Sequence, residues 1–337
     1  MSNPLVSICI PTYNGEKHIE QCLVSATNQT YKNIEIIIID DASTDNTWNI
    51  INQYAVTDKR IKLYRNDNNI GLVGNFNKCL EIAGGQWIKF LLQDDYITDN
   101  CVDTMVANIS VEDKIVSCKR TFLLDGTFNE DKKGYYNHGV VTFEGLGIIS
   151  KAPIFIKPNQ IAKMAIENIC MNFIGEPTSL MIKRDVLVEM GYFNIYLAQI
   201  CDLEYFLRIS SRYGIKYIPE SLTYFRIHTE STTEVNLQSK TYVLSHLDPI
   251  IFANQLLFDK CYSSLRNNLN FIQKIKLKLY FLVRVYEAYK SAAGNSAEVG
   301  KFESVSEMFP EIKKHQNGSL FTKFLFAVIK IKRRAKN

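Results

Sequence analysis

No apolar run in this 337-residue chain approaches the roughly 18 residues that a membrane-spanning helix needs. The first ten residues lack a basic leader and a cleavage site, so we expect a strand there and no signal peptide. The eight cysteines show no metal-ligand spacing, which favours reduced thiols in a cytosolic protein. The composition indicates a folded globular protein, because the chain is 46% hydrophobic and long enough for about two domains.

Acidic residues are absent after Glu311, where lysine and arginine contribute a charge of +8. Because the whole chain has a formal net charge of +4, residues 1–311 together carry −4. A protein whose main ligand is nucleic acid usually has a basic body. The charge distribution therefore argues against nucleic acid as a partner.

The C-terminal region combines basic charge with apolar residues. Leu320–Arg334 is apolar and then basic, too short to span a bilayer, and typical of an interfacial helix attracted to anionic lipid. Phe271–Tyr289 mixes lysine and arginine with leucine, tyrosine and phenylalanine, and we expect it to share that surface. The alternative is that these helices pack on the domain and expose an ordinary basic face.

The first 95 residues alternate short apolar runs with helical patterns. Ile34–Ile39 consists of isoleucines apart from Glu35. Such a β-branched run is typical of a strand buried on both faces of a parallel sheet. The order β-α-β-α-β-α-β predicts a doubly wound parallel sheet. Right-handed crossovers place the strand-to-helix loops on one edge. The residues expected around one cleft at that edge are Tyr13, Asp41, Asn69 and Asp94.

The apolar run that begins at Trp87 ends in the carboxylate pair Asp94-Asp95. Open α/β sheets bind ligands at the carboxyl edge, where these two acids would repel each other. A divalent cation that holds a diphosphate would relieve this repulsion. The alternative is a solvated turn, because aspartate is a common turn former.

Beyond residue 110 the pattern is mixed, and from about residue 240 it is helical. The residue before the first helix, Asn14, is the predicted N-cap. The later predicted strands are Ile115–Cys118, Val140–Phe143, Leu180–Lys183, Ile215–Pro219 and Leu222–Ile227. A short helix is predicted at Ile161–Asn168, and a longer one begins at Asp202.

Five motifs occur in the order seen in glycosyltransferase family 2: Pro11–Asn14, Ile39–Asp45, Asn69–Gly71, Gln93–Asp95 and Asp202–Arg208. The resemblance covers about residues 4–230. It implies the GT-A fold, an α/β fold with a Rossmann-like, mostly parallel sheet flanked by helices. It divides the chain into a transferase domain at 1–235 and a helical, basic region at 236–337. Within the domain it implies a nucleotide-binding half at about 1–110 and an acceptor half at about 111–235.

The resemblance also implies that a nucleotide-sugar donor is bound by the first four motifs. Tyr13 is expected to pack against the base, and Asp41 to accept the base imide N–H. The alternatives are helix-entry capping for Asp41 and a packed helix start for Asn75. Phe76 stands where many relatives have arginine, so no basic contact is expected there. The donor-binding residues implied are Pro11, Thr12, Tyr13, Asn14, Asp41, Asn69, Gly71, Asn75, Asn77, Gln93 and Asp94.

The metal motif departs from the family's common Asp-x-Asp-Asp, because Leu92 replaces the first acid. The resemblance then leaves Asp94 and Asp95 to bind Mn²⁺ or Mg²⁺, which would neutralise the departing nucleoside diphosphate. His228 matches a late histidine that approaches the metal in similar enzymes. The alternative for a single histidine is a structural role.

An inverting reaction needs one base that takes the proton of the acceptor hydroxyl as it attacks the anomeric carbon. By resemblance this base is Asp202, with Cys201 where relatives often carry a second acid. The alternative is that Asp202 only caps its helix. Glu176, in the segment that resembles the acceptor side of the family, is expected to bind acceptor hydroxyls.

We therefore expect an inverting, metal-dependent hexosyltransferase, peripheral on the cytoplasmic face of the cell membrane. The donor would be a UDP-sugar, and the acceptor a lipid-linked saccharide or polysaccharide in bacterial surface-glycan synthesis, of the O-antigen (lipopolysaccharide) or capsule type. One alternative is a sugar-phosphate nucleotidyltransferase, but Pro11–Asn14 lacks its glycine-rich, basic loop. Another is an inactive, membrane-associated glycan-binding or scaffold protein. The motifs encode neither the donor sugar, the linkage nor the oligomeric state.

Overall fold

The computed structural model describes residues 3–125, 141–231, 234–235 and 241–334. Within them the chain forms two compact units. The first comprises the chain up to Pro158 together with Met171–Ile195 and Cys201–Ser231. The second comprises Asn159–Cys170, Tyr196–Ile200 and the described residues after Ser231. The predicted domain boundary near residue 235 stays a prediction.

The predicted alternation of strands and helices over the first 95 residues is confirmed. All seven residues of the second strand are buried, as expected for a central strand of a parallel sheet. The elements are β1 (Val6–Thr12), α1 (Ile19–Thr27), β2 (Ile34–Asp40), α2 (Thr47–Thr57), β3 (Ile61–Arg65), α3 (Gly71–Ile82) and β4 (Trp87–Phe90).

Two local predictions are wrong. Asn14 does not cap α1, which begins at Ile19; it takes a left-handed backbone with φ of 47° instead. Ile215–Ile227 is one strand, not two, because its turn-like middle is accommodated by register shifts against the neighbouring strand. Of the predicted strand Val140–Phe143, position 140 lies outside the described residues and the other three positions form no strand.

The sheet belongs to the first unit and has nine strands among the described residues. Its order is β3-β2-β1-β4-β8-β6-β9-β5, with β7 paired to β9. The later strands are β5 (Tyr96–Ile97), β6 (Ile115–Leu124), β7 (Ile154–Ile156), β8 (Leu180–Lys183) and β9 (Ile215–Ile227). β8 is antiparallel to β4 and to β6, and β6 is parallel to β9. The end of β4, the beginning of β8 and the end of β9 therefore share one edge.

Ten more α-helices are described. In the first unit they are α4 (Cys101–Ala107), α6 (Val186–Met190) and α7 (Cys201–Tyr213). The second unit contains α5 (Pro158–Glu167, which begins at the unit boundary), α8 (Asp248–Phe258), α9 (Ser263–Asn267), α10 (Phe271–Ala292), α11 (Ser296–Met308), α12 (Pro310–His315) and α13 (Leu320–Arg334). None of the helices in these described ranges has the length and apolar character that a membrane span requires.

The two faces of the sheet bury different residues. Alternate residues of β1 and β2, such as Ile8 and Ile36, pack in one cluster with residues of α1, α2 and α4. An aromatic cluster lies between α3, β4 and α7, where the Phe76 ring is 5.2 Å from Phe90 and 5.0 Å from Phe193. Phe76 is 2% exposed. The residue that replaces the family's arginine is therefore part of the core.

The turn before β4 has no room for a side chain. A Cβ at Gly85 would lie 2.7 Å from Ser7 N and 2.8 Å from Leu5 O, both backbone atoms of the neighbouring strand segment. At Gly300, an exposed position of α11, a Cβ would meet nothing within 4 Å.

We predict that Gly85→Ala lowers the free energy of unfolding by about 1–3 kcal/mol, because backbone must shift to admit the methyl group. Gly300→Ala should instead raise it by about 0.5–1 kcal/mol, because alanine is the better helix former. Urea denaturation of both variants measures the difference. Equal stability of the two variants would contradict the packing of β4 against β1.

Candidate functional site

The loops that follow β1, β2 and β4 are joined by hydrogen bonds. The Tyr13 N–H donates to Gln93 Oε1 at 2.8 Å, and Gln93 Nε2 donates back to the Tyr13 carbonyl at 3.0 Å. Asn14 N donates to Ser43 Oγ, and Asn14 Oδ1 accepts from Thr44 N, both at 2.9 Å. Pro11 and Thr12, at the end of β1, are buried, whereas Tyr13 is 43% exposed. Tyr13 therefore presents an exposed aromatic side chain at this edge.

Asp41 joins the loop after β2 to the beginning of α3. Its Oδ1 accepts from Asn66 Nδ2 at 2.8 Å and from Ile70 N at 2.9 Å, and its Oδ2 accepts from Gly71 N at 2.9 Å. Asp41 is only 2% exposed. The carboxylate thus accepts from N–H groups at the start of α3 that have no partner within the helix. It therefore caps α3 and not α2, the helix that directly follows it in the chain. Its contact with a base stays a prediction.

The three asparagines of the third motif and α3 have different surroundings. Asn69 is exposed and accepts from Gly71 N at 2.9 Å. Asn75 is 3% exposed and donates to the Ile39 carbonyl at 2.9 Å. Asn77 donates to the Phe193 carbonyl at 3.0 Å and accepts from the Phe193 N–H at 2.8 Å. Asn75 and Asn77 therefore bind protein backbone. For Asn75 this is what the alternative interpretation, a packed helix start, implied.

Asp94 and His228 come together at the ends of β4 and β9. Asp94 Oδ2 lies 3.2 Å from His228 Nε2. The His228 ring centroid is 4.9 Å from that of His18, in the loop before α1. Burial lowers the pKa of His18, and the charges of Arg226 and His228 lower it further. His18 belongs to no motif, so no sequence pattern indicated its position.

Asp95 faces the interior. It is 1% exposed, its Oδ2 accepts from the Thr178 hydroxyl, and its Oδ1 accepts from Arg226 N at 2.9 Å. Burial raises the pKa of Asp95 well above its usual range, and the charge of Asp94 adds to the rise. These hydrogen bonds hold Asp95 inward, and its direct contact with a metal stays a prediction.

The described residues contain no group of three or more histidine, cysteine, aspartate or glutamate side chains arranged for a metal ion. Asp94 and His228 nevertheless offer one oxygen and one nitrogen donor on the same edge as the nucleotide motifs. Mg²⁺ in phosphate-transfer sites is commonly held by one or two carboxylates together with substrate phosphates and water. The residues present fit that sparse kind of site.

Asp202 is the first acid of α7. Its Oδ1 accepts from Leu203 N at 2.7 Å, and its Oδ2 accepts from Asn172 Nδ2 at 3.1 Å. Burial raises the pKa of Asp202 to about 7; the Leu203 N–H opposes this rise and the charge of Glu176 adds to it. A carboxylate that titrates near neutral pH is suited to accept a proton.

Glu176 forms a nearly buried ion pair. Its Oε2 lies 2.6 Å from Arg120 Nε, and the two side chains are 15% and 6% exposed. Arg120 also donates to the carbonyls of Val141 and Asn172. Neither Arg120 nor Asn172 lies in a family motif, so sequence reasoning missed both. The predicted acceptor contact of Glu176 is not tested by this geometry.

One loop connects the two acidic centres. Thr178 contacts Asp95, and Asn172, six residues earlier, contacts Asp202. Both lie between α5 and β8, so the chain entering β8 fixes the metal motif and the predicted base together. The same loop therefore holds both the candidate cation site and the candidate base.

Comparison with known proteins agrees with these motifs. The profile of glycosyl transferase family 2 matches residues 7–166. The chain belongs to glycosyltransferase family 2. The match includes the donor-side motifs and the Gln93–Asp95 loop but ends before Asp202.

Two relatives illustrate how far the likeness extends. An uncharacterized protein of Mycobacterium tuberculosis is 32% identical over 235 residues, 68% of this family 2 chain and 69% of that protein. The UDP-Glc:alpha-D-GlcNAc-diphosphoundecaprenol beta-1,3-glucosyltransferase WfaP of Escherichia coli is 40% identical over 130 residues. That match covers 37% of this chain and 51% of WfaP, so the chain spans about half of the relative.

A solved structure shows the fold over most of the chain. The crystal structure of Staphylococcus aureus TarS 1–349 in complex with UDP-GlcNAc superposes with a TM-score of 0.54 and 16% identity. The match covers 91% of each chain. The predicted GT-A fold, with its mostly parallel sheet flanked by helices, is therefore confirmed.

The raised pKa of Asp202 predicts a pH dependence of stability. In the unfolded chain this carboxyl titrates near about 3.9, whereas in the folded chain it titrates near 7. Between these values the folded state binds more protons, so its contribution to the free energy of unfolding falls as pH rises. The ionised carboxylate of Asp202 therefore costs stability above pH 7.

We predict that Asp202→Asn gains stability relative to the natural chain as pH rises from about 4 to 7, by up to about 4 kcal/mol. Only the change with pH is informative, because the substitution also alters the hydrogen bond with Asn172 in a pH-independent way. Urea denaturation at four pH values measures it. A difference between the two proteins that is constant with pH would refute the raised pKa.

Proposed function

We propose that this chain moves one sugar from a nucleoside diphosphate sugar, a UDP-sugar, to a hydroxyl group of a lipid-linked or polysaccharide acceptor, with inversion at the anomeric carbon. The observation that carries the proposal is the half-buried carboxylate of Asp202, whose pKa is raised to about 7 and which accepts from Leu203 N and Asn172 Nδ2. It shares a supporting loop with the Asp94–His228 pair. A proton acceptor and a candidate diphosphate site are the two parts that such a transfer needs.

The donor would be bound by the loops after β1, β2 and β4. Tyr13 is exposed, and its backbone is held on both sides by Gln93, so its ring is available to pack against a base. Asp41 organises the beginning of α3, and one of its oxygens would have to accept the base imide N–H as an additional bond. Asn75 and Asn77, which bind protein backbone, would support these donor-binding loops.

Asp94 and His228 would hold the Mn²⁺ or Mg²⁺ ion, and Asp95 would keep the Asp94 loop in place. When bound, such an ion neutralises the charge that develops on the departing nucleoside diphosphate. Arg226 supports the same loop, because its Nε donates to the Asp94 carbonyl at 3.0 Å. The guanidinium is also bound to Asp125 and Gln21.

Asp202 would take the proton of the acceptor hydroxyl as that oxygen attacks the sugar. Asn172 and the Leu203 N–H orient the carboxylate. Burial raises the pKa of Asp202, and the charge of Glu176 adds to the rise. We propose that Glu176 also binds acceptor hydroxyls. The acceptor that the name of WfaP specifies, a diphosphoundecaprenol-linked sugar, supports a lipid-linked acceptor for this chain. It likewise supports a place in bacterial surface-glycan synthesis, of which O-antigen and capsule synthesis are two forms.

The first test separates catalysis from donor binding. Asp202→Asn should lower the rate of sugar transfer about 10²–10⁴-fold, because the amide cannot accept the proton. Binding of UDP, measured by calorimetry, should remain unchanged. The assay supplies a membrane extract as acceptor source and a panel of UDP- and dTDP-sugars.

The matched control is Asp103→Asn, an aspartate that is exposed on α4. It should transfer sugar like the natural chain. Undiminished turnover in Asp202→Asn would remove Asp202 as the base, and no transfer or donor hydrolysis by the natural chain across the panel would overturn the proposed function.

The second test concerns the nucleotide and the cation. Calorimetry with UDP, dTDP and GDP, each with and without Mn²⁺, should show UDP binding that Mn²⁺ strengthens about tenfold or more, as expected for one added charge-assisted contact. Asp94→Ala and His228→Ala should each abolish most of this gain while metal-free binding persists. His246→Ala, in the second unit, is the control. A gain from Mn²⁺ that survives in Asp94→Ala would place the cation elsewhere.

A further inference from the structure

The beginning of α10 exposes an apolar surface that the helical unit leaves uncovered. Phe271, Ile272 and Ile275 are 76%, 75% and 41% exposed. On the same helix Leu277 and Phe281 are each 1% exposed, and the Phe281 ring is 5.5 Å from Phe258 of α8. The helix therefore has a core-facing side and, in its first turns, a second apolar side.

The positions of these residues around the helix make the second side continuous. At about 100° per residue, Phe271, Ile275 and Ile272 fall at about 0°, 40° and 100°. Leu277 and Phe281 fall at about 240° and 280°, on the opposite side. The outward arc, which consists of Phe271, Ile272 and Ile275, is therefore not needed for the packing of α10.

Lysines border this arc on both sides. Lys276 falls at about 140°, and Lys278 and Lys274 at about 340° and 300°. All three are exposed, and the sequence contains no aspartate or glutamate from position 260 to position 286. An apolar arc between lysines lets the hydrocarbon stems follow the apolar side chains while the ammonium groups reach an anionic boundary.

The same arrangement recurs at the beginning of α13. Leu320, Phe321 and Phe324 are 87%, 58% and 67% exposed and have the same relative positions as the three apolar residues of α10. Lys323 corresponds to Lys274, and it too is exposed. Two helix starts in one unit therefore present the same combination of apolar and basic side chains.

We propose that the apolar and basic side chains of Phe271–Lys278, together with those of Leu320–Phe324, dock this protein onto an anionic lipid bilayer. Apolar residues on a helix surface, bordered by lysines and without acids, match the boundary between acyl chains and anionic headgroups. An acidic protein surface would satisfy the lysines but leave the two arcs of aromatic and aliphatic side chains without partners. Docking of this kind does not depend on the proposed transfer activity.

The test is flotation of the full-length protein with vesicles that contain phosphatidylglycerol. The natural chain should float with them and should bind vesicles of pure phosphatidylcholine at least about tenfold more weakly. Phe271→Ser/Ile272→Ser/Ile275→Ser and Leu320→Ser/Phe321→Ser/Phe324→Ser should each reduce binding about tenfold or more, because buried apolar area is lost. Lys274→Glu/Lys276→Glu/Lys278→Glu should have a similar effect, and salt should weaken binding of the natural chain.

Val56→Ser/Val188→Ser is the matched control, because these valines of the first unit are 85% and 90% exposed. It should bind vesicles like the natural chain. Failure of the natural chain to float with phosphatidylglycerol vesicles, or an equal loss in the control, would overturn the proposal. So would sedimentation equilibrium that shows self-association abolished by the α10 variant, since the surface would then bind a second copy.

Discussion

The carboxylate of Asp95 lies buried where the end of β4, the beginning of β8 and the end of β9 meet. It accepts from the Thr178 hydroxyl and from the Arg226 N–H, so one side chain ties the three segments together. A buried carboxylate without such donors would cost several kcal/mol, which makes these partners strongly favoured. Because Asp95 is held inward, its neighbour Asp94 is left to approach His228.

The same support extends to the other half of the site. Lys89, fully buried in β4, donates to the Thr178 carbonyl and fixes the loop from beneath. That loop carries Asn172, which orients Asp202, and Glu176, whose charge adds to the effect of burial in raising the pKa of Asp202. A change at Thr178 would therefore be felt at both centres.

Much of this fold could be predicted because the apolar periodicity of residues 5–95 is strong and local. The resemblance assigned Asp94 and His228 to one predicted metal site. In the structure the two side chains meet because both follow strands whose carboxyl ends share an edge. Sequence could not show which acid of the Asp94-Asp95 pair turns inward, because that depends on donors about 80 and 130 positions away. Nor could it reveal His18 or Arg120, whose roles come from tertiary contacts alone.

The central claim is that a single base, Asp202, drives direct displacement at the anomeric carbon. Nuclear magnetic resonance of the product, formed from a donor of known anomeric configuration, tests it most directly. Direct displacement predicts that the transferred sugar has the opposite configuration to the donor, read from the coupling constant of its anomeric proton. A product with the donor's configuration would contradict the account.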